Sequence, residues 1–533
     1  MKRLLLLLLF LPSLAYAQEK IEEHWYSLLL ESTTVGFFHQ TTWQTADGLL
    51  RSEIEQTMEI RRFGVPFSMT QTDVWIEDVA GELVSVSSEL DMNGQLQRVE
   101  ARVAQGELRV RLHRANKADE IFLPLEEKPR GLYAVGREIA AVVAGRKGKR
   151  ELDYRLFSPE TTKIEEFRLR VLGPGELTDS LGRTHRGVLV EEHTSSLPGV
   201  ITTEVYDGEA QFLYSKTPVG LALEILRLEG DPRGSGDPEP GEEVAAVFDV
   251  ASLAVAVEGL GDLPLESTGA VTVALRGRGV AIVHQAARTA EEDLGYPAGA
   301  EATALRIVSA KRDAGGEVNE LVLRLTNRPS APSRTGLGSA DPPSLPSESI
   351  PPEVQRYLKG GFHLELSDPR LAKLLDSCRV AEDRSFAAEG RGSAAGSGID
   401  LSCLERLVNR YIRNKSLAFG FAGLEEVLSK REGDCTEHAL LLVALLRKTG
   451  VPSRLAYGLV LTESGFLGHA WAELYSGGRW HWLDPSFPQG RPYGLKIRLG
   501  VMDPAEPIWA SLSLALLQVV GTVDAEILES ERR

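Results

Sequence analysis

Residues 433–448 read GDCTEHALLLVALLRK and predict a helix that begins at a cysteine. Asp434 suits the N-cap position, and Glu437 follows it at the spacing of a capping box. The run 439–446 is apolar on every side, so we expect this helix to be buried at the centre of a domain. Unbonded N–H groups and the helix dipole favour a thiolate at Cys435. Pairing with a histidine can lower the pKa of such a thiol from about 8.5 to about 4.

Two predicted strands after this helix carry a histidine and an aspartate. Residues 469–475 read HAWAELY and alternate strictly, so His469, Trp471 and Glu473 share one face of a strand. A glycine pair at 477–478 predicts a turn, and Asp484 follows on the next strand. Neighbouring antiparallel strands can place His469 and Asp484 side by side, as a general base and its orienting carboxylate require.

Five short motifs in this part of the chain resemble those of the transglutaminase-like superfamily: GDCTEHA at 433–439, LLR at 445–447, GVPSR at 450–454, HAW at 469–471 and WLDP at 482–485. The resemblance covers about residues 350–533 and is tightest over 404–490. It implies an α+β, papain-like fold in which the cysteine helix packs against an antiparallel sheet. It also implies that Cys435 is the nucleophile, His469 the general base and acid, and Asp484 the residue that orients the imidazole.

Two further residues near this motif set have more than one interpretation. His438 lies three residues after Cys435, and it can support the site, bind substrate or be a core histidine with satisfied hydrogen bonds. Trp471 can form a wall of the cleft or pack in the core. A metal site built from Cys435, His438 and His469 lacks a fourth soft ligand, so we predict neither a metal nor another cofactor.

The rest of the chain predicts a multidomain protein with β-rich N-terminal domains. We divide it into an antiparallel β-rich domain at 18–229, a linker at 230–242, a small β-rich domain at 243–328, a Pro/Ser-rich linker at 329–352 and the transglutaminase-like domain at 353–533. The β-rich interpretation rests on alternating runs separated by turn pairs such as Asn93-Gly94 and Gln105-Gly106.

Residues 1–17 have the pattern of a secretory signal. Lys2 and Arg3 precede an unbroken apolar run at 4–11, and AYA at 15–17 matches a cleavage site. The apolar run is too short to span a bilayer, so we predict an exported protein, periplasmic or secreted, with no membrane span after signal removal. The chain has 533 residues and a net charge of −17, which argues against a nucleic-acid partner.

Three cysteines are too few for a disulfide scaffold, but export into an oxidising compartment would allow two of them to form a disulfide. Cys378 and Cys403 lie on the two predicted helices before the motif set. The sequence leaves two alternatives open for this pair: a buried Cys378 thiol, or a Cys378–Cys403 disulfide that leaves Cys435 as the remaining thiol.

The expected function is cysteine-dependent hydrolysis of, or acyl transfer from, a peptide or amide substrate in the cell envelope, through a thioester. This describes a cysteine protease, an amidase or an acyltransferase whose partner is a protein or peptide, including envelope components. The backbone N–H of Cys435 is a natural oxyanion donor, and the sequence does not identify a second one. The alternative is a non-catalytic envelope binding or assembly protein that retains the transglutaminase-like fold.

Overall fold

The computed structural model describes residues 19–30, 32–62, 65–114, 117–146, 148–195, 200–219, 221–232, 254–261, 263–294, 304–313, 315–327, 350–378, 400–415, 422–487, 495–506 and 519–532. The predicted signal sequence, 1–17, lies outside these ranges, as do most of the two predicted linkers. Within these ranges, no helix combines the length and the apolar character needed to cross a bilayer.

The N-terminal region forms one antiparallel sheet of 14 strands. Its first half contains β1 (Glu19–Leu30), β2 (Thr33–Gln44), β3 (Leu50–Arg62), β4 (Val65–Glu77), β5 (Leu83–Met92), β6 (Gln95–Ala104), β7 (Glu107–Arg114) and β8 (Lys117–Pro124). After helix α1 (Leu132–Val143), the second half contains β9 (Glu151–Ser158), β10 (Lys163–Thr178), β11 (Thr184–Thr194), β12 (Ile201–Tyr206), β13 (Phe212–Val219) and β14 (Leu221–Leu228).

This sheet is two meanders joined where β1 pairs with β14. The turn pair Asn93-Gly94 connects β5 to β6 as predicted, with φ of 52° and 83°. Two consecutive positive φ values define the tight hairpin turn that Asn-Gly favours. Helix α1 packs on β9 and β10 and also contacts β3 and β4. Its Val135 and Val142 share a core with Leu169 on β10.

The segment predicted as a small separate domain begins the C-terminal region. It forms β15 (Val257–Glu258), β16 (Thr268–Arg276), α2 (Val280–Leu294), β17 (Leu305–Arg312) and β18 (Val318–Thr326). The helices that follow are α3 (Pro352–Gln355), α4 (Pro369–Asp376), α5 (Leu401–Tyr411), α6 (Leu424–Lys430) and α7 (Cys435–Lys448). They lead to β19 (Ser453–Thr462), β20 (Gly465–Ser476), β21 (Arg479–Leu483), β22 (Lys496–Met502) and β23 (Asp524–Arg532).

Two sheets organise this C-terminal region. Strands β21, β20, β19 and β22, in that order, form an antiparallel sheet, and α7 packs against β20 and β19. The second sheet has the order β15-β23-β16-β18-β17. Its strand β23, from the end of the described chain, pairs with both β15 and β16.

The sequence division treats 243–328 as a separate small β-rich domain, whereas the described residues within 254–327 share a sheet with β23. Strand β23 completes their sheet although about 250 positions separate it from β16, as in the pair Arg276–Glu526. Helix α2 packs on β17 and β18 and also on β21 and β22, so it lies between the two sheets. A single apolar core joins both sheets. Most of the Pro/Ser-rich linker predicted at 329–352 lies outside the described residues, and this core contains residues on both sides of it.

Candidate active site

Helix α7 begins at Cys435 because its first turn is capped as the sequence predicts. The side chain of Asp434 accepts the N–H of Thr436 at 2.8 Å, and the side chain of Glu437 accepts the N–H of Asp434 at 2.8 Å. Gly433 has a φ of 152°, and a Cβ there would lie 2.3 Å from the Cβ of Glu437. Only glycine leaves room for the Glu437 side chain to fold back over the helix start.

Cys435 lies at the accessible end of a helix whose next 12 residues are buried. Its own side chain is half-buried. Cys378 and Cys403 form a disulfide with a Cα–Cα distance of 5.5 Å, which is one of the two alternatives that the sequence left open. Cys435 is therefore the thiol of this chain, and it occupies the positive end of a helix dipole.

His469 and Asp484 are in direct contact. Nε2 of His469 lies 2.8 Å from Oδ2 of Asp484, and the two side chains are 6% and 9% exposed. Burial alone would raise the pKa of Asp484, but the charge of Lys496, followed by that of His469, holds it well below its usual range. The carboxylate is thus ionised, and it fixes the orientation of the ring. Cys435 begins the helix that packs against β20, the strand that carries His469.

Helix α5 holds the backbone around Asp484. Oε1 of Glu405 accepts the N–H of Asp484 at 2.9 Å, and the side-chain amide of Asn409 donates to the carbonyl of Pro485 at 2.8 Å. Burial, partly opposed by this N–H bond, raises the pKa of Glu405 to about 7. The Cys378–Cys403 disulfide ties the N-terminal end of the same helix to the segment after α4.

Lys496 is a residue of this cluster that sequence reasoning missed. Its Nζ lies 2.7 Å from Oδ2 of Asp484, the oxygen that His469 also contacts, and 5.4 Å from the ring centroid of Trp471. The side chain is only 3% exposed. A signal existed in the strand itself, where Lys496 and Arg498 alternate with apolar residues in a segment that is otherwise suited to a core.

His438 belongs to a different environment from His469. Its Nδ1 donates to the carbonyl of Asp434 at 2.6 Å, so its Nε2 is the acceptor for the ammonium of Lys415. Burial, followed by the charge of Lys415, lowers the pKa of His438 to about 4. The ring is therefore neutral at pH 7 and has no lone pair left for a metal ion. Its place is in the packing under the helix start.

Trp471 is completely buried and lies behind His469, with 6.1 Å between the ring centroids. Of the two interpretations drawn from the sequence, this placement matches core packing and not an exposed cleft wall. Phe487 covers another side of the imidazole, at 5.0 Å between centroids. The histidine therefore has apolar rings around it and one charged partner at Nε2.

A second ion cluster lies farther along the same face of the sheet, beyond Trp471. Glu473 accepts from Nε of Arg454 at 2.8 Å, and it faces Arg498 at 3.4 Å. Asp293 on α2 accepts from the same two guanidinium groups, at 2.8 and 2.7 Å. This cluster connects the four-stranded sheet to α2 and fastens the two parts of the C-terminal region together.

Comparison with known proteins agrees with the resemblance carried by the motifs. Residues 401–485 match the family model of the transglutaminase-like superfamily. The chain thus carries a transglutaminase-like domain, and the matched residues include Cys435, His469 and Asp484. No curated protein matches the chain.

Two of the solved structures that match the chain have low sequence identity to it. One is a β-barrel-like protein, of a domain of unknown function, from Brucella abortus: it is 11% identical, has a TM-score of 0.30, and the match covers 39% of this chain and 94% of that one. The other is a proposed cysteine protease from Cytophaga hutchinsonii: it is 12% identical, has a TM-score of 0.25, and the match covers 50% of this chain and 86% of that one.

Proposed function

We propose that this protein is a cysteine-dependent enzyme that hydrolyses, or transfers the acyl group of, a peptide or amide substrate through a thioester. The observation that carries the proposal is the 2.8 Å contact between Nε2 of His469 and Oδ2 of Asp484, inside the domain whose capped helix begins at Cys435. An imidazole oriented by an ionised carboxylate and a thiol at a helix start are the parts that nucleophilic acyl transfer needs.

Formation of the thioester follows from these parts. Because Asp484 holds Nε2, the other ring nitrogen of His469 is available to take the proton of Cys435. The thiolate attacks the substrate carbonyl, and the oxyanion that forms is stabilised by the N–H of Cys435 at the start of α7. The carbon–nitrogen bond then breaks. The imidazolium of His469 gives its proton to the departing amine, and the acyl group remains on sulfur.

Release of the acyl group reverses these roles. His469 takes a proton from the incoming nucleophile, which attacks the thioester, and Cys435 leaves as the thiolate. Water as nucleophile gives hydrolysis, whereas a primary amine gives a new amide. We favour hydrolysis because water is always present and no feature of the chain specifies an amine acceptor. The domain would then act as a protease or amidase with a papain-like arrangement of helix and sheet.

The pattern of residues 1–17 supports export to the periplasm or the medium. A protein or peptide in the cell envelope is then the expected substrate. An exported chain also gains from the Cys378–Cys403 disulfide, which an oxidising compartment maintains.

Incubation of the full chain with a mixed peptide library and a labelled primary amine tests the proposal. Mass spectrometry would detect cleaved, deamidated and amine-linked products, and we expect Cys435→Ala and His469→Gln to abolish them. The matched control is His481→Gln, since His481 is a buried histidine of β21 whose Nε2 lies 3.1 Å from the carbonyl of Ser476. Products that persist in Cys435→Ala would contradict the cysteine-dependent mechanism. If the wild type forms no products, the alternative of a non-catalytic binding or assembly protein that retains this fold is favoured.

A further inference from the structure

One carboxylate oxygen serves two basic side chains in this site. Oδ2 of Asp484 lies 2.8 Å from Nε2 of His469 and 2.7 Å from Nζ of Lys496. All three side chains are at least nine-tenths buried. A buried ammonium is costly unless it is paired, so the position of Lys496 needs an explanation in the chemistry or the stability of the site.

The close approach of β22 to β19 places Lys496 within reach of Asp484. Lys496 lies on β22 and pairs with Val460 on β19, so β19 and β20 separate its strand from β21. The register of β19 and β22 shifts between Tyr457 and Gly458. At Gly458 a Cβ would lie 2.0 Å from the carbonyl oxygen of Ile497, so only glycine lets β22 come this close. From there the Lys496 side chain extends past the ring of Trp471 to the carboxylate.

We propose that Lys496 is a positioning residue of the active site, which holds the carboxylate of Asp484 in place and balances its negative charge for His469. The inference rests on the proposed function, because it concerns the same imidazole. A buried carboxylate without a second cation would strongly stabilise the imidazolium, and the imidazolium would then retain its proton. With Lys496 on the same oxygen, Asp484 still orients the ring, but His469 can release its proton to the departing amine.

Other charged groups lie near Asp484 but do not contact its carboxylate. His438 on α7 is neutral and lies close enough for Asp484 to affect its pKa, and its partner is Lys415. Glu405 on α5 contacts the N–H of Asp484 and not its carboxylate, and Arg406 is more exposed. Among the cations in the described part of the chain, Lys496 and His469 are the two that contact the carboxylate of Asp484.

Two substitutions separate the charge of Lys496 from its packing. Lys496→Gln keeps a hydrogen-bond donor but removes the charge, whereas Lys496→Arg keeps the charge. Lys311→Gln, at an exposed ion-paired lysine of β17, is the matched control. Lys496→Met would replace the Gln variant if that protein did not fold. A thermal melt of each full-length variant, without reductant, would confirm folding.

The measurement is the rate of Cys435 alkylation by iodoacetamide from pH 4 to pH 10, which needs no substrate. Removal of a positive charge raises the proton affinity of its neighbours. We therefore expect the alkaline transition of the profile, which reports the imidazolium, to move up by about one pH unit in Lys496→Gln. It should stay within about 0.3 units of the wild type in Lys496→Arg and Lys311→Gln.

The outcomes discriminate between the two proposals. A profile that is unchanged in Lys496→Gln overturns the role of Lys496, and so does an equal shift in the Gln and Arg variants, which would indicate packing alone. The proposed function fails separately. In that case the wild-type thiol would show one transition near pH 8.5, as an isolated thiol does, and His469→Gln would not change it.

Discussion

Two buried ion clusters lie on one face of the four-stranded sheet, with Trp471 between them. One joins Asp484 to His469 and Lys496, and the other joins Glu473 and Asp293 to Arg454 and Arg498. Both satisfy carboxylates with cations at short distances, and both are largely shielded from water. They differ in the kind of cation that each contains.

The cations of the second cluster are guanidinium groups, which stay protonated at every pH where the protein is folded. That cluster can bind two layers together, but it cannot exchange a proton with a substrate. An imidazole, in contrast, gains and loses its proton near neutral pH. We therefore expect the Glu473 cluster to stabilise the structure and the Asp484 cluster to take part in the proposed chemistry, and four measurements test this difference.

The largest expected effect is the loss of activity in Asp484→Asn. An amide cannot stabilise the imidazolium, and its N–H can force the wrong tautomer on His469, so we expect turnover to fall by about 10³-fold or more. Steady-state kinetics on a substrate identified from the peptide library would measure this. Glu473→Gln, the matching change in the other cluster, should leave turnover per folded molecule within about threefold. Equal losses in the two variants would remove the distinction between the clusters.

Arg454→Met should act on stability instead. The change leaves Glu473 and Asp293 with fewer partners and removes the guanidinium that lies 3.8 Å from the ring centroid of Trp480. Breaking one side of a buried ion pair costs about 3–5 kcal/mol, which we expect to appear in the free energy of unfolding measured with urea. The alkylation rate of Cys435 in the folded variant should not change. A stable variant with altered thiol reactivity would contradict this assignment.

Removal of the disulfide by Cys378→Ser with Cys403→Ser tests how α5 supports Asp484. The bond closes a loop with a sequence separation of 25, and loss of such a constraint costs about 3 kcal/mol. We expect a lower midpoint of urea unfolding and a modest fall in turnover, because Glu405 and Asn409 on α5 hold the backbone at residues 484–485. An unchanged midpoint would show that the bond does not constrain the fold in solution.

The smallest expected effect is on the pH dependence of the melting temperature. Because the pKa of Glu405 is raised to about 7, the folded chain holds this proton more tightly than the unfolded chain. Its contribution to stability is complete below about pH 4 and is lost as pH rises to about 7. Glu405→Gln should therefore raise the melting temperature at pH 8 by roughly 2–4 °C and leave it unchanged at pH 4. Glu425→Gln, at an exposed position, is the control, and an equal gain there would exclude the burial of Glu405 as the cause.

The local geometry that the sequence predicts and the structure contains arises from residues close to each other in the chain. The capping box and the helix start at Cys435 depend on residues within three positions of each other. The contact of His469 with Asp484 follows from a two-residue alternation and one tight turn, which connect neighbouring strands. Short-range backbone geometry of this kind is the same in any fold, so the local sequence pattern is sufficient to predict it.

The parts that the sequence missed depend on distant partners. Lys496 reaches Asp484 from a strand on the far side of β19, and Glu405 comes from a helix 79 positions before the residue it binds. Residues 254–327 are joined to the C-terminal region by the pairing of β16 with β23 and by the ion pair of Asp293 with Arg454, which lies 161 positions away. No periodicity in the chain indicates which distant segments pair.

Local patterns in the chain are enough to predict a capped, buried cysteine helix, a strand pair that carries a histidine and an aspartate, and the superfamily that this order of motifs matches. Three features depend on long-range packing: the contact of Asp484 with the buried Lys496, the neutral form of His438, and the pairing of the last described strand with β16. The two groups of features differ in the sequence separation of the residues that interact. Capping and strand alternation are set by backbone geometry over a few residues, whereas ion clusters and sheet order are set by which surfaces pack together when the chain closes its long loops.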